Sequence, residues 1–218
     1  ALTADDMDKP GVEGAMWCCS PPPRDSAAQE AVWAALKDGT FQTFSSDHAP
    51  YQFNAGGKIP KGDKTTFKEM ANGVPGIEIR LPMLFSEGVQ KGRITLQQFV
   101  ALTSANHAKL YGLYPRKGTI AVGSDADFAI WDADKDVTVT WKDLHDNVGY
   151  TPYEGRQIKG WPITVVSRGR VVVEDGKLNA ERGSGQFLPC ASPDSSKPIG
   201  QNPPELQAMS RFGLKPLF

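Results

Sequence analysis

The sequence predicts an α/β fold in its first half, followed by an all-β segment and an irregular tail. Three observations carry this. A capped helix runs through a short turn into a Thr/Phe-rich strand between Ser26 and Ser45. Helical 3.6-residue spacing then dominates to Tyr114. Beyond it, two-residue alternation and short apolar runs take over to about residue 180.

The elements follow in order. The stretch to Pro23 reads as loop and ends in Pro21-Pro22-Pro23. A helix is predicted from Ser26, where Ser26 and Gln29 form a capping box, to about Lys37, with Gly39 as its stop. Phe41 to Ser45 is predicted as a strand that runs into Ser46-Asp47-His48-Ala49-Pro50, and ligands of α/β folds bind at such C-terminal strand ends. Residues 54 to 64 read as a flexible Gly/Lys-rich loop, and Phe67–Met70 as a short helix. Ile77 to Glu87 has helical spacing, with Pro82 acceptable only near the helix start. Thr95 and Gln98 form another capping box, and Ser104 is predicted to cap a further helix through Leu110, stopped by Gly112. Strands are predicted at Ala126–Trp131, Val137–Trp141, Ile163–Arg168 and Arg170–Glu174, with a hairpin turn at Glu174–Lys177.

Composition narrows the function. The 218 residues carry a net charge of -1, with 24 basic against 25 acidic side chains, so there is no basic footprint for nucleic acid. No run of about 18 apolar residues occurs, which argues against a membrane span. The 22 glycines and 17 prolines indicate many turns and loops. Cys18, Cys19 and Cys190 are odd in number and lack a CxxC, which fits a reducing, cytoplasmic compartment. His48, His107 and His145 are the only histidines, too few for a His-rich metal site.

Several residues could carry chemistry. Asp47 and His48 side by side at a strand end suit a carboxylate that binds a metal or moves a proton; they equally suit a turn in which Asp47 caps the next segment. Cys18-Cys19-Ser20 is either a substrate-contacting loop or a stiff connector, and the proline run favours the connector. Asn72-Gly73 can bring backbone against a ligand, because Gly allows close approach, or is a plain turn. His107 reads as a hydrogen-bonded, partly buried helix residue. Asp125 and Asp127 read as a strand-start turn.

The order of motifs resembles the dihydropyrimidinases and D-hydantoinases of the amidohydrolase superfamily. Cys19-Ser20-Pro21-Pro22, Ser46-Asp47-His48-Ala49-Pro50-Tyr51, Asn72-Gly73-Val74-Pro75-Gly76-Ile77-Glu78 and Arg80-Leu81-Pro82 carry the likeness. So do Thr103 to Ile120, Val122 to Asp127, Tyr150 to Gly155 and Gly160-Trp161-Pro162; it extends to about residue 188.

The resemblance implies the C-terminal portion of a (β/α)8 TIM-like barrel, then part of a small β-sandwich domain and an extended tail. The expected boundaries are 1–114, 115–180 and 181–218. It implies hydrolysis of the ring amide of dihydrouracil, dihydrothymine or 5-substituted hydantoins to N-carbamoyl amino acids. Two divalent metal ions, usually Zn2+, are implied, bridged by a carboxylated Lys that is absent from this chain. Asp47 resembles the family's metal-binding, proton-shuttling aspartate of barrel strand 8, and Ser20 and Asn72 resemble the residues whose main-chain atoms hold the ring amide. The family's His-x-His pair, further histidine ligands and an early tyrosine have no counterpart here, so the chain is expected to begin after the sixth barrel strand and to be inactive alone. A homotetramer formed through the tail is implied, with Leu206, Met209, Phe212, Leu214 and Phe218 as apolar anchors. The alternative is a non-catalytic scaffold, as in the collapsin response mediator proteins; the retained Asp47, His48 and Asn72 favour the enzyme, because scaffold relatives tend to lose the metal aspartate.

Overall fold

The computed structural model describes residues 2–193. The tail anchors Leu206, Met209, Phe212, Leu214 and Phe218 lie outside the described residues.

Five α-helices precede a four-stranded sheet. They are α1 (Ala4–Met7), α2 (Ser26–Asp38), α3 (Arg80–Leu84), α4 (Leu96–Val100) and α5 (Asn106–Leu110). The stretch expected as loop thus holds α1, closed by a Thr3–Asp6 capping box, and a 3-10 turn at Glu13–Trp17. Helix α2 spans the expected residues, but Asp25 rather than Ser26 caps it, accepting from the Ala28 N–H at 2.8 Å. Gln29 turns away to donate to the Leu2 carbonyl at 2.8 Å. Gly39 ends the helix in the left-handed region, at φ 85°.

Phe41 to Ser45 forms no ladder, contrary to the strand expectation. Its polar backbone is served by helices instead. Phe41 N–H donates to Ala35, Phe44 N–H donates to Leu102, and the Phe44 carbonyl contacts His107 Nε2 at 3.1 Å. A strand needs neighbours in the hydrogen-bonding direction, and none lies beside this segment among the described residues. His107 is thereby the partnered helix histidine expected. Phe67–Met70 is a turn rather than a helix.

Helix α3 begins at Arg80, so Pro82 sits in its first turn, and it continues as a π-helical stretch, Phe85–Gln90. Thr95 caps α4 as expected: its hydroxyl accepts from Gln98 N–H at 3.1 Å and the Gln98 side chain accepts from Thr95 N–H at 2.9 Å. Ser104 caps nothing. The helix runs on through a π-helical segment, Ala101–Ala105, into α5.

The sheet is antiparallel in the order β1 (Phe128–Thr138), β2 (Gln157–Ser167), β3 (Arg170–Glu174), β4 (Lys177–Leu178). The two strands expected at 126–141 are one, with an irregularity between Asp132 and Asp136, and Trp141 starts a 3-10 turn instead. Both tight hairpins carry two successive left-handed residues, Arg168-Gly169 and Asp175-Gly176, which matches the strands' right-handed twist.

Two apolar clusters join helices to sheet. Leu36, Leu84, Phe85, Ile94, Phe99 and Leu102 form one, with Trp131 of β1 stacked on Phe85 at 4.9 Å. Ile79, Met83, Val139 and Ile158 form the other. Helix α3 contributes to both, which fixes the start of the chain segment leading back from it, residues 71–79.

Candidate active site

Three chain segments distant in sequence meet at one place: Trp17–Ser20, Asp47–Ala49 and Ala71–Ile77. Backbone bonds make the junction. Gly73 N–H donates to the Cys18 carbonyl at 3.1 Å, and Ala49 N–H donates to the Val74 carbonyl at 3.1 Å. Gly73 is required here by close approach: a Cβ would stand 2.5 Å from the Ala49 Cβ. Side chains add to it. The Cys18 thiol donates to Asn72 Oδ1 at 3.0 Å. His48 Nδ1 accepts from Gly76 N–H at 3.1 Å and Ile77 N–H at 3.3 Å, so its ring proton sits on Nε2. Trp17 Nε1 donates to the Pro152 carbonyl at 3.1 Å, tying the cluster to the loop before β2.

The residues singled out from sequence therefore sit in segments that touch. Asn72 is exposed and bonded to Cys18; Ser20 is exposed two residues further along the same loop. Asp47 is exposed, and its carboxylate makes no hydrogen bond or ion pair among the described residues. Its backbone is left-handed, at φ 46°. That region is uncommon for side chains other than Asn and Asp, and it costs on the order of 1 kcal/mol or more. His48 is a backbone acceptor that holds the loop, which spacing alone did not indicate.

The residue that sequence reading missed is Lys58. It lies in the segment expected to be a flexible loop, yet it is 0% exposed. Its ammonium donates to the carbonyls of Cys18 at 2.8 Å, Ala71 at 3.0 Å and Gly73 at 2.6 Å. Its own carbonyl accepts from Ala71 N–H at 3.4 Å. No carboxylate pairs with it among the described residues. Burial lowers its pKa from the ordinary lysine value, while the nearby Cys18 and Cys19 act the other way. Each charge-assisted bond contributes about 1.5–3 kcal/mol, against a burial cost of several kcal/mol for the ion. The only sequence signal is Gly57, whose Cβ would fall 2.2 Å from the Gln52 carbonyl oxygen; it marks a tight turn.

Burial raises the Cys19 thiol pKa; Cys18 and Asp47 push the same way and Lys58 opposes them. Asp47 and Lys58 are therefore both within electrostatic reach of this loop.

A divalent metal can use Asp47, since its carboxylate is uncommitted and exposed. Among the described residues no group of three or more His, Cys, Asp or Glu is placed to hold a metal. Asp47 fits one position on a metal and does not complete a centre.

The chain belongs to the amidohydrolase family, whose model it matches over residues 3–172. Its similarity is to hydantoinases. It is 43% identical over 186 residues to a D-hydantoinase of Rhizobium radiobacter, covering 85% of this chain and 40% of the relative. It is 44% identical over 182 residues to a D-hydantoinase of Geobacillus stearothermophilus, covering 84% and 38%. Among solved structures, the dihydropyrimidinase from Brevibacillus agri superposes with a TM-score of 0.84 at 43% identity, covering 88% of this chain and 41% of that one. The chain thus spans about 40% of the length of the curated relatives it matches.

Proposed function

We propose that this chain is part of a metal-dependent cyclic amidohydrolase. The substrates are dihydropyrimidines such as dihydrouracil and dihydrothymine, or 5-substituted hydantoins, and the products are N-carbamoyl amino acids. The observation that carries the reading is the junction of the Cys18–Ser20 and Asn72–Gly73 segments beside an uncommitted Asp47. Similarity to proteins named D-hydantoinase and dihydropyrimidinase supports it. By the same reading, residues 1–114 are the last βα units of a barrel, 115–180 a β-sandwich segment, and 181–218 a tail that joins subunits of a tetramer.

Asp47 would serve as one ligand of a pair of divalent ions, Zn2+ in this reading, which when bound would supply hydroxide at neutral pH and polarise the ring carbonyl. Asp47 accepts the proton of the attacking water as its oxygen bonds to the ring carbonyl carbon. It returns that proton to the ring nitrogen as the C–N bond breaks, so the nitrogen leaves neutral. Main-chain atoms of Ser20 and Asn72 hold the ring amide. A backbone clamp orients a neutral planar ring without adding charge to the site.

The Asp47 carboxylate, left-handed in backbone and without a hydrogen-bond or ion-pair partner among the described residues, favours an enzyme over a scaffold. No helix among the described residues is long and apolar enough to cross a membrane. The unpaired Cys18, Cys19 and Cys190 suit a cytoplasmic setting. The test is turnover: the complete polypeptide carrying this segment, loaded with Zn2+, Mn2+ or Co2+, opens dihydrouracil or hydantoin. Failure with both rings under all three metals rejects the reading.

A further inference from the structure

Lys58 has no role in the chemistry above, yet it is the most deeply buried charge among the described residues. Its three acceptors are not scattered. They are the carbonyls of Cys18, Ala71 and Gly73, in the two segments that hold Ser20 and Asn72. In a trans peptide the C=O and the following N–H point in opposite directions. Where the Cys18 and Ala71 carbonyls face the ammonium, the Cys19 and Asn72 N–H groups face away from it. Neither N–H finds a protein acceptor among the described residues. Cys18 O is also shared with Gly73 N–H, so one carbonyl ties both segments to each other and to Lys58.

We propose that Lys58 is a positioning residue of the ring clamp: its ammonium gathers the carbonyls of both segments, sets their separation, and presents the outward Cys19 and Asn72 amides to a carbonyl of a neutral cyclic amide. This rests on the hydrolase reading above. Two physical effects combine. Three bonds converging on one nitrogen fix the relative placement of two loops that share no regular secondary structure. A cation on a carbonyl also polarises its peptide, so the N–H at the far side becomes the stronger donor. A compact ammonium suits this geometry, because a planar guanidinium cannot converge three carbonyls on one nitrogen.

The experiment uses the complete, metal-loaded polypeptide with Lys58→Met and Lys58→Arg. In Lys58→Met, KM for dihydrouracil or hydantoin rises at least tenfold, with kcat changed less than threefold and metal content unchanged. Lys58→Arg keeps a cation but spreads the carbonyls, and its KM also rises. Hydrogen exchange of the parent and Lys58→Met is followed in parallel. The Gly73 and Ala71 amides exchange at least tenfold faster in the variant, while the Phe99 and Val139 amides keep their protection, which excludes global unfolding. If KM stays at the parent value in a folded variant, the positioning role is overturned, even where exchange is faster. If Lys58→Met does not fold, a parent-like KM in Lys58→Arg overturns it equally. A parent that opens neither ring rejects the hydrolase reading and with it the ring as ligand. In that case exchange still decides whether Lys58 clasps the two segments, and unchanged protection at Gly73 removes the clasp itself.

Discussion

The Cys18 thiol donates to the Asn72 carboxamide oxygen at 3.0 Å, across 54 residues of sequence. Among the described residues it is the one side-chain bond that reaches Asn72, and it orients the loop whose main chain is proposed to hold the ring. Cys18→Ser retains a donor of similar size, and Cys18→Val removes it. Losing one such bond costs about 1 kcal/mol, equivalent to roughly fivefold in binding. Steady-state kinetics of the complete enzyme should show KM close to the parent's for Cys18→Ser and raised about fivefold for Cys18→Val. Equal KM values in the two variants would mean that this bond does not orient Asn72.

Asp47 adopts φ 46° and its carboxylate has no partner among the described residues. Removing its charge therefore breaks no structural contact, and Asn is one of the few residues that tolerates the same backbone. Asp47→Asn is expected to fold as the parent does, with a melting temperature within a few degrees. Turnover falls by about 10²–10⁴ with the loss of proton transfer, and one metal is bound more weakly. Turnover, metal content and thermal melting of the same preparation check all three. Parent-like turnover would remove the aspartate from the mechanism.

Local signals and tertiary ones were unequally legible. The Thr95–Gln98 box, the Gly39 stop and the Asp175-Gly176 hairpin depend on residues within one turn of each other, and all three are found where the sequence places them. The α2 cap slipped by one residue because Asp25 and Ser26 are both good caps, and the choice went with Gln29 reaching the distant Leu2 carbonyl. Phe41 to Ser45 has strand composition but no strand beside it. Composition cannot supply a ladder partner. Lys58 looked solvated because Gly and Lys surround it; its burial depends on carbonyls delivered by segments 13 to 40 residues away. Asp47, Ser20 and Asn72 were singled out by motif, and the contacts that bring their loops together were not readable.

Gly160 shows how tightly β2 meets the helices. A Cβ there would stand 2.4 Å from two atoms of the Phe85 ring, and its φ of 94° is unfavourable for other residues. Overpacking costs about 1–3 kcal/mol and the backbone roughly 1–2 kcal/mol more. Gly160→Ala should lower the melting temperature by roughly 4–20 °C for a chain of this size. A melting temperature unchanged within a degree would contradict the Phe85 contact.

Glu69 accepts from Thr66 N–H and Thr66 Oγ1, both at 3.1 Å, and pairs with Lys61. The bond from Lys61, followed by those from Thr66, holds its pKa at about 2, below the ordinary 4.5. The folded-state pKa is lowered, so the contribution to stability is present above the ordinary value and is lost as pH falls from about 4.5 through about 2. The pair is exposed, and salt weakens it. Limited proteolysis or exchange across residues 61–70 should show the loop opening in that window. In Glu69→Gln the loop is already loosened at pH 7 and its opening varies less with pH. An identical acid profile in parent and variant would assign the opening to another group.

The sheet and the loops around it leave large apolar side chains uncovered: Ile120, Val122, Phe128, Ile130, Val171, Leu178 and Phe187 are exposed. Phe128 and Ile130 lie on β1, an edge strand of the sheet among the described residues, so a backbone edge with no partner there accompanies exposed apolar side chains. Exposed apolar surface beside an open strand edge favours association with another chain. The 218-residue polypeptide, expressed alone, should therefore scatter as oligomers or aggregates and bind a hydrophobic dye. It should not open hydantoin or dihydrouracil, because Asp47 by itself leaves a metal centre incomplete. Light scattering and a ring-opening assay on one sample decide the matter. A monodisperse monomer with hydantoinase turnover would show that the exposed faces are tolerated and that these 218 residues suffice for catalysis.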